Sequence, residues 1–431
     1  MIVEQIVQKA MEQADGAQAF MVVQETSAVD FENDRLKSAE SAQRTSIHVK
    51  VIKDGKVGAS STTDPGDVDG VVGRALEAAE FGSPIHSELP GPEEFNPVKT
   101  FDPELIPLQK PEMIRMGQQM MDMIKAYNPE ILAGAGVNRK ITRIEFANSK
   151  GATYSEELTD FDVGAGGQLT RGTDILFAGH SVAQRKRQLD TEDVAARAIE
   201  YFRMAEKIVP IESKPMPVIF TPGGLIAILL TLGLGLDGKN VFLGSSPLRD
   251  KLGQQIAHPG FTLIDDPTLD YGPNTSAFDN EGVVRKVTPL IENGVLRNFI
   301  YDLDTAGRAG QHPTGHGTNR SLTNLVMSPG EYSFEEMVAS IQEGLLVHEF
   351  LGLGQGNPIN GEFSVNVFLG YKIENGKVAG RVKDVMLAGN AYSALKDITA
   401  ISREREWVSG SFAWFSGLFP YVQVGKLNVT A

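Results

Sequence analysis

The stretch from Val218 to Leu236 runs for 19 positions without a charged residue, and no other segment limits the possible folds as strongly. Its length is about the minimum for a helix that crosses a bilayer. Pro222, Gly223 and Gly224 break it early, however, and no cluster of Lys or Arg flanks it as an anchored span would show. What remains, Leu225 to Leu236, reads as a helix enclosed in a protein core. Enclosing such a helix needs a large interior, which 431 residues at 41% hydrophobic content can supply. A chain of this length exceeds what one core usually serves, so two domains are expected. The opening MIVEQIVQKAMEQA puts Ile2, Val3, Ile6, Val7, Ala10 and Met11 on one helical face, the pattern of an amphipathic helix and not of a signal peptide.

A formal charge of −15 argues against direct binding to nucleic acid, because that affinity rests on Lys and Arg displacing counterions from phosphates. The chain has no cysteine, which removes disulfides, CxxC zinc sites and thiol catalysis together. With no export signal, this composition suits a reducing cytoplasm.

Three prolines and mixed charges in Ile208–Pro217 follow a helical pattern over Thr191–Lys207. The domain boundary is placed there, giving an N-terminal α+β domain over 1–210 and a β-rich domain over 211–431. Seven prolines between Ser83 and Pro111 mark an extended excursion inside the first domain. Helices are expected over Val68–Phe81 and Met113–Tyr127, each beside a strand-and-turn pattern. Those patterns, Val29-Asp30-Phe31-Glu32-Asn33 and Ile144-Glu145-Phe146-Ala147-Asn148, leave open an internal duplication. After residue 217, Asn293-Gly294 and Asn375-Gly376 stand between apolar alternations as hairpin signals. The main later helix is expected over Glu335–Glu343 and a short one from the Ser393–Ile401 region, and Gly164-Ala165-Gly166-Gly167 reads as a turn. The class is α+β, with the second domain dominated by strands.

Candidate chemistry is thin. His312 and His316 have the i, i+4 spacing of a zinc helix, but Pro313, Gly315 and Gly317 deny the helix and no Glu lies between them to act as base. His348-Glu349 begins like HExxH, yet position 352 is Gly and Leu345-Leu346-Val347 reads as a strand, so a structural histidine is the better reading. Asp265, Asp266, Asp270, Asp279 and Glu281 match no EF-hand spacing and suit caps and turns. No nucleophile elbow, P-loop or dinucleotide motif is present. Trp407, Phe412, Trp414, Phe415, Phe419 and Tyr421 form an aromatic cluster suited to core packing or to a partner or substrate groove.

Several stretches in order along most of the chain resemble the TldD/PmbA family, which includes the "modulator of DNA gyrase" proteins. They are Val29–Lys37, Asn148-Ser149-Lys150-Gly151, Ser246-Pro247-Leu248 with Lys251-Leu252-Gly253, Asp265-Asp266-Pro267, and Phe278–Gly282. Tyr301–Ala306, Thr314-Gly315-His316, and Gly361–Ser364 before Ile373–Gly376 complete the set. The resemblance implies a metal-bearing TldD type and a metal-less TldE/PmbA type. Counting back from Ser246-Pro247-Leu248, the HExxxH of the TldD type falls on Leu229, Leu230 and Leu234. No zinc or other cofactor is therefore expected in this chain, and zinc is expected on a TldD-type partner.

The resemblance further implies a cytoplasmic metallopeptidase complex acting on unfolded peptides, in which this chain is a metal-less subunit. The partner is a TldD-type paralogue in a heterodimer, or a second copy in a homodimer. The Leu351–Gly361 loop supplies candidate peptide-binding residues, Gln355, Asn357 and Gly361, and Gly164–Gly172 is a second candidate segment. Two alternatives stay open. One is a homodimeric peptide-binding or regulatory protein with no catalytic partner, and the other is an independent hydrolase built on His312, His316 or His348.

Overall fold

The computed structural model of the chain describes residues 1–95, 97–353, 356–409 and 416–431. Its first part is one antiparallel sheet made from two successive units of the same plan. In the first unit α1 (Ile2–Ala10) leads into β1 (Gly16–Glu32), β2 (Arg35–Lys53), β3 (Lys56–Thr62) and α2 (Val68–Glu80). In the second, α3 (Lys110–Tyr127) leads into β4 (Leu132–Asn148), β5 (Thr153–Arg171), β6 (Asp174–Gln184) and α4 (Thr191–Met204). The strand order β3-β2-β1-β4-β5-β6 is symmetric about the β1/β4 pair, as an internal duplication would produce. The β2–β3 hairpin closes on Asp54 and Gly55 at φ 51° and 72°, the left-handed pair that a two-residue turn demands.

Alternation along β1 sets which side of the sheet meets which neighbour. Ala17, Ala19 and Met21, then Val29 and Phe31, point to the four helices, while Phe20 points the other way with Phe146 and Tyr154. That second face receives the loops of the C-terminal part. The proline-rich excursion, whose described residues before α3 form a helical turn only at the 3-10 segment Pro103–Leu105, also crosses to it. Tyr271 N–H donates to the Lys99 carbonyl at 2.7 Å, and Phe95 packs edge-on against Tyr154.

The second part contains β7 (Lys214–Phe220), α5 (Ile226–Leu236), α6 (Gly238–Phe242), β8 (Leu263–Asp265), β9 (Thr288–Glu292), β10 (Val295–Leu296), α7 (Leu303–Ala309) and β11 (Asn324–Met327). It continues through α8 (Phe334–Ala339), β12 (Glu343–Leu351), β13 (Glu362–Glu374), β14 (Lys377–Arg381), β15 (Val385–Asn390), α9 (Ala391–Lys396), β16 (Ile398–Val408) and β17 (Ser416–Thr430). The eleven strands form one sheet. Because β17 pairs with both β15 and β7, the strands β7, β12, β13, β15 and β17 close a circuit. Both Asn-Gly pairs turn hairpins, β9–β10 and β13–β14, with positive φ at each residue. One face of the sheet, through Ile219, Leu346, Leu369, Tyr371 and Ile373, packs on the layer of α3 and α4; the other encloses α5.

Two expectations are corrected. The Gly164–Gly167 segment is mid-strand in β5, not a turn. Small residues are needed there because a Cβ on Gly166 would stand 2.5 Å from the Ala178 carbonyl oxygen, and one on Gly167 2.6 Å from that of Leu132. The helix expected to reach Glu343 ends at Ala339, since β12 begins at Glu343. It starts with a capping box between Ser333 and Glu336. The short helix expected from the Ser393–Ile401 region forms over Ala391–Lys396 and is followed by β16.

Candidate functional site

Helix α5 follows a sharp turn after β7, in which Thr221 Oγ1 accepts from Gly224 N–H at 3.1 Å. With no polar stripe to orient it, the helix is held by enclosure. Leu229 and Leu232 are 2% and 1% exposed. Ile226, Leu230, Gly233 and Leu234, spaced i, i+4, i+7 and i+8, form a half-buried apolar face. Tyr392 ties the helix to the loop beside it, its hydroxyl reaching the carbonyls of Ile359 and Thr231 at 3.2 and 3.4 Å.

That loop carries two of the candidate peptide-binding residues. Asn357 caps the 3-10 turn Pro358–Asn360, and Gly361 ends it at φ 94°. A Cβ on Gly361 would lie 2.6 Å from the Tyr392 ring, so this glycine is required by a turn and a close approach together. Gln355 lies outside the described residues, as do Phe412, Trp414 and Phe415 of the aromatic cluster. The structure thus brings Asn357 and Gly361 beside the helix of Leu229, Leu230 and Leu234. Of the Gly164–Gly172 segment, Gly164 to Gln168 line a separate groove together with Glu349 and Phe368.

Zinc does not fit helix α5. Leucine offers no lone pair to a metal and no carboxylate to activate water. No set of three or more His, Cys, Asp or Glu that could hold a metal ion gathers among the described residues.

The histidines separate. His312 is exposed beside Arg249 and Arg297, whereas His316 is buried. His316 Nε2 lies 3.0 Å from Asp265 Oδ2 and its Nδ1 lies 2.8 Å from Thr314 Oγ1. The row Thr314, His316, Asp265 has the order of a hydrolase relay. Its hydroxyl, however, is fixed between the Tyr301 N–H, at 2.8 Å, and the Tyr301 carbonyl, at 3.1 Å. Asp265 also accepts from Thr323 N–H and Thr323 Oγ1, at 2.6 and 2.8 Å. The constellation therefore ties three loops together. His348 sits at a bulge in β12, with Nδ1 3.1 Å from Thr221 Oγ1 and its ring 4.0 Å from that of Tyr201. Removal of its ring from water presses its pKa down to about 4, helped by His180, so the imidazole is neutral at pH 7.

The acidic residues do more than cap turns. Asp266 and Asp279 hold loop N–H groups, as their positions suggested. Glu281 instead reaches Lys50 of β2 at 3.4 Å while accepting from Leu303 N–H at 2.8 Å. Burial raises its pKa and Lys50 opposes the rise. Around this bridge lies a cleft of about 1020 Å³ between β1–β3 and the second part. Its walls include Arg320, which pairs with Asp237 at 2.7 Å and also with Asp302. Sequence reading missed this cleft. Its one local signal was the alternation of Gln18, Phe20, His48 and Lys50 on the strand faces turned away from the helices.

The model for the PmbA/TldA metallopeptidase C-terminal domain matches residues 213–431, half of the chain, and that for domain 1 matches residues 17–79. The chain belongs to the PmbA/TldD family. An uncharacterized protein of Methanocaldococcus jannaschii is 28% identical over 378 residues, 86% of this chain and 87% of that one. A protein named metalloprotease from Methanothermobacter thermautotrophicus is 24% identical over 402 residues, 88% of this chain and 86% of that one. The crystal structure of TldE from Thermococcus kodakarensis superposes with a TM-score of 0.92 at 22% identity, covering 100% of both chains, and shows the same fold. No helix among the described residues is long and apolar enough to cross a membrane.

Proposed function

We propose that this chain is the metal-less, TldE/PmbA-type subunit of a cytoplasmic metallopeptidase that acts on unfolded peptides. The observation that carries this reading is α5. On the family resemblance the zinc motif falls on α5, where this chain carries Leu229, packed as core, and Leu230 and Leu234, half-buried. Zinc and the activated water belong to a TldD-type partner on this reading. This chain supplies wall and peptide contact, with Asn357 and Gly361 beside the half-exposed face of Leu230 and Leu234. Contact with DNA has no role, since the charge of −15 opposes it.

Metal analysis and a peptidase assay test the reading on the purified chain, alone and mixed with an HExxxH paralogue from the same source. The expected result is no stoichiometric zinc and no cleavage alone, with cleavage gained in a stable mixed complex. Chelator-sensitive cleavage by the chain alone would overturn it. A stable homodimer that binds peptide and gains no activity from any paralogue would favour a regulatory peptide-binding protein.

A further inference from the structure

A recess of about 670 Å³, a size typical of small-molecule sites, is lined by residues of α6 and α7 and of the loops that carry Arg249 and Arg297. Three arginines, Arg249, Arg297 and Arg308, and His312 line it against one carboxylate, Asp250, in a chain whose net charge is −15. All four basic residues are exposed, so a ligand can reach them. Their bonding is incomplete. Arg297 uses Nη2 on Glu292 at 3.0 Å and Arg308 uses Nε on Asp304 at 2.8 Å, and their other N–H groups have no partner among the described residues. Arg249 and His312 make no side-chain hydrogen bond or ion pair among the described residues. Tyr301 adds a neutral donor. Its ring is buried, yet its hydroxyl has no partner among the described residues and is not sealed from solvent. Burial raises its pKa, so the phenol keeps its proton at pH 7.

These side chains decide what class of group fits. A guanidinium group has donors only, so whatever binds must bring acceptors. Asp250, Glu292 and Asp304 balance the three arginines, which leaves the recess near neutral where the chain as a whole is strongly acidic. An anion therefore meets less repulsion here than over most of the surface. A phosphomonoester has three terminal oxygens and can accept from several guanidinium edges at once, whereas a carboxylate has two. Beside the donors, Phe242 and Leu252 stand exposed in the same recess, and a flat apolar group attached to the phosphate would cover them.

We propose that this recess binds a small molecule in which a phosphomonoester is joined to a flat apolar group. The phosphate accepts from Arg249, Arg297, Arg308 and the Tyr301 hydroxyl, and the apolar group lies against Phe242 and Leu252. The site involves neither α5 nor a zinc-bearing partner, and it stands or falls apart from the peptidase reading.

Isothermal titration calorimetry on the full chain tests this with phenyl phosphate, inorganic phosphate, benzoate and phenol at one ionic strength. Phenyl phosphate is expected to saturate a single site and to bind about fivefold more tightly than inorganic phosphate, from partial covering of its ring. Benzoate should bind about tenfold more weakly than phenyl phosphate, and phenol should not bind. Arg249→Gln is expected to weaken phenyl phosphate about tenfold and Tyr301→Phe about fivefold, each by the loss of one hydrogen bond to a charged group. Asp250→Asn removes a like charge and should tighten binding about threefold. Arg143→Gln, at an exposed arginine paired with Glu157 on the first sheet, should change nothing. Arg249 is exposed, so its variant carries the test if Tyr301→Phe does not fold. No saturable binding, unchanged affinity in Arg249→Gln, or an equal loss in Arg143→Gln would overturn the site. Benzoate bound as tightly as phenyl phosphate would overturn the choice of a phosphomonoester.

Discussion

Helix α5 and the joint between the two parts are both buried, yet they are held by opposite means. The helix is surrounded by hydrocarbon and makes few side-chain hydrogen bonds. The joint is a layer of committed polar groups, in which Asp265, Asp279, Glu281, His316 and Arg285 lie within or beside cavities. Hydrophobic burial is additive and forgiving of direction, whereas a polar layer is sensitive to each missing partner. The joint should therefore yield larger single-residue effects than the helix, although the helix is the drier region.

The largest effect is expected from Asp265→Ala, which strips the acceptor from Thr323 N–H, Thr323 Oγ1 and His316 at once. A loss of about 4 kcal/mol in urea-unfolding stability is expected, because several buried donors are left unsatisfied at about 1–3 kcal/mol each. A loss below that of the next variant would break the comparison. Leu229→Ala should cost about 3 kcal/mol, because a 2% exposed leucine leaves a cavity. Leu230→Ala on the half-buried face should cost about 1 kcal/mol, and equal losses at the two positions would show that α5 is not packed as described.

Acid titration sharpens the contrast further. The folded-state pKa of His348, about 4, lies below the unfolded value near 6.5, so the unfolded chain binds more protons between them. Stability from this residue is complete above about pH 6.5 and is lost as pH falls toward about 4, by at most about 3 kcal/mol. Melting curves of His348→Gln should show a shallower acid limb than wild type; identical limbs would assign the loss to other groups. The depressed His180 keeps part of the limb in the variant. The smallest effect is expected from Lys50→Met, about 1 kcal/mol, because Glu281 keeps its Leu303 N–H bond and protonates more readily without the cation. The difference between wild type and this variant should shrink at high salt, measured by urea midpoints.

What sequence could show follows the same division. The apolar run over 218–236 foretold an enclosed helix, and Asn293-Gly294 and Asn375-Gly376 foretold hairpins, because each signal is local and has one cheap backbone solution. Gly164–Gly167 misled because glycine answers two needs, a left-handed turn and a close strand approach, and composition does not separate them. Arg285 carried no local mark, and Gln18 and Lys50 were marked only by the alternation along their strands. The roles of the last two depend on partners more than 200 positions away, Asn280 for Gln18 and Glu281 for Lys50. Leu229, Leu230 and Leu234 were informative only against a family pattern; by themselves they say core.

The closed circuit of strands has a consequence for how the chain comes to be folded. Strand β7 is made early and β17 last among the strands that join it, yet β17 is the piece that pairs with both β7 and β15. During synthesis, β7 and β15 therefore keep bare edges until about residue 430 has emerged. Bare edges recruit other strands, including those of neighbouring nascent chains. The interval before β17 arrives is the time when this molecule is most exposed to wrong company, and a chaperone that covers strand edges would act then.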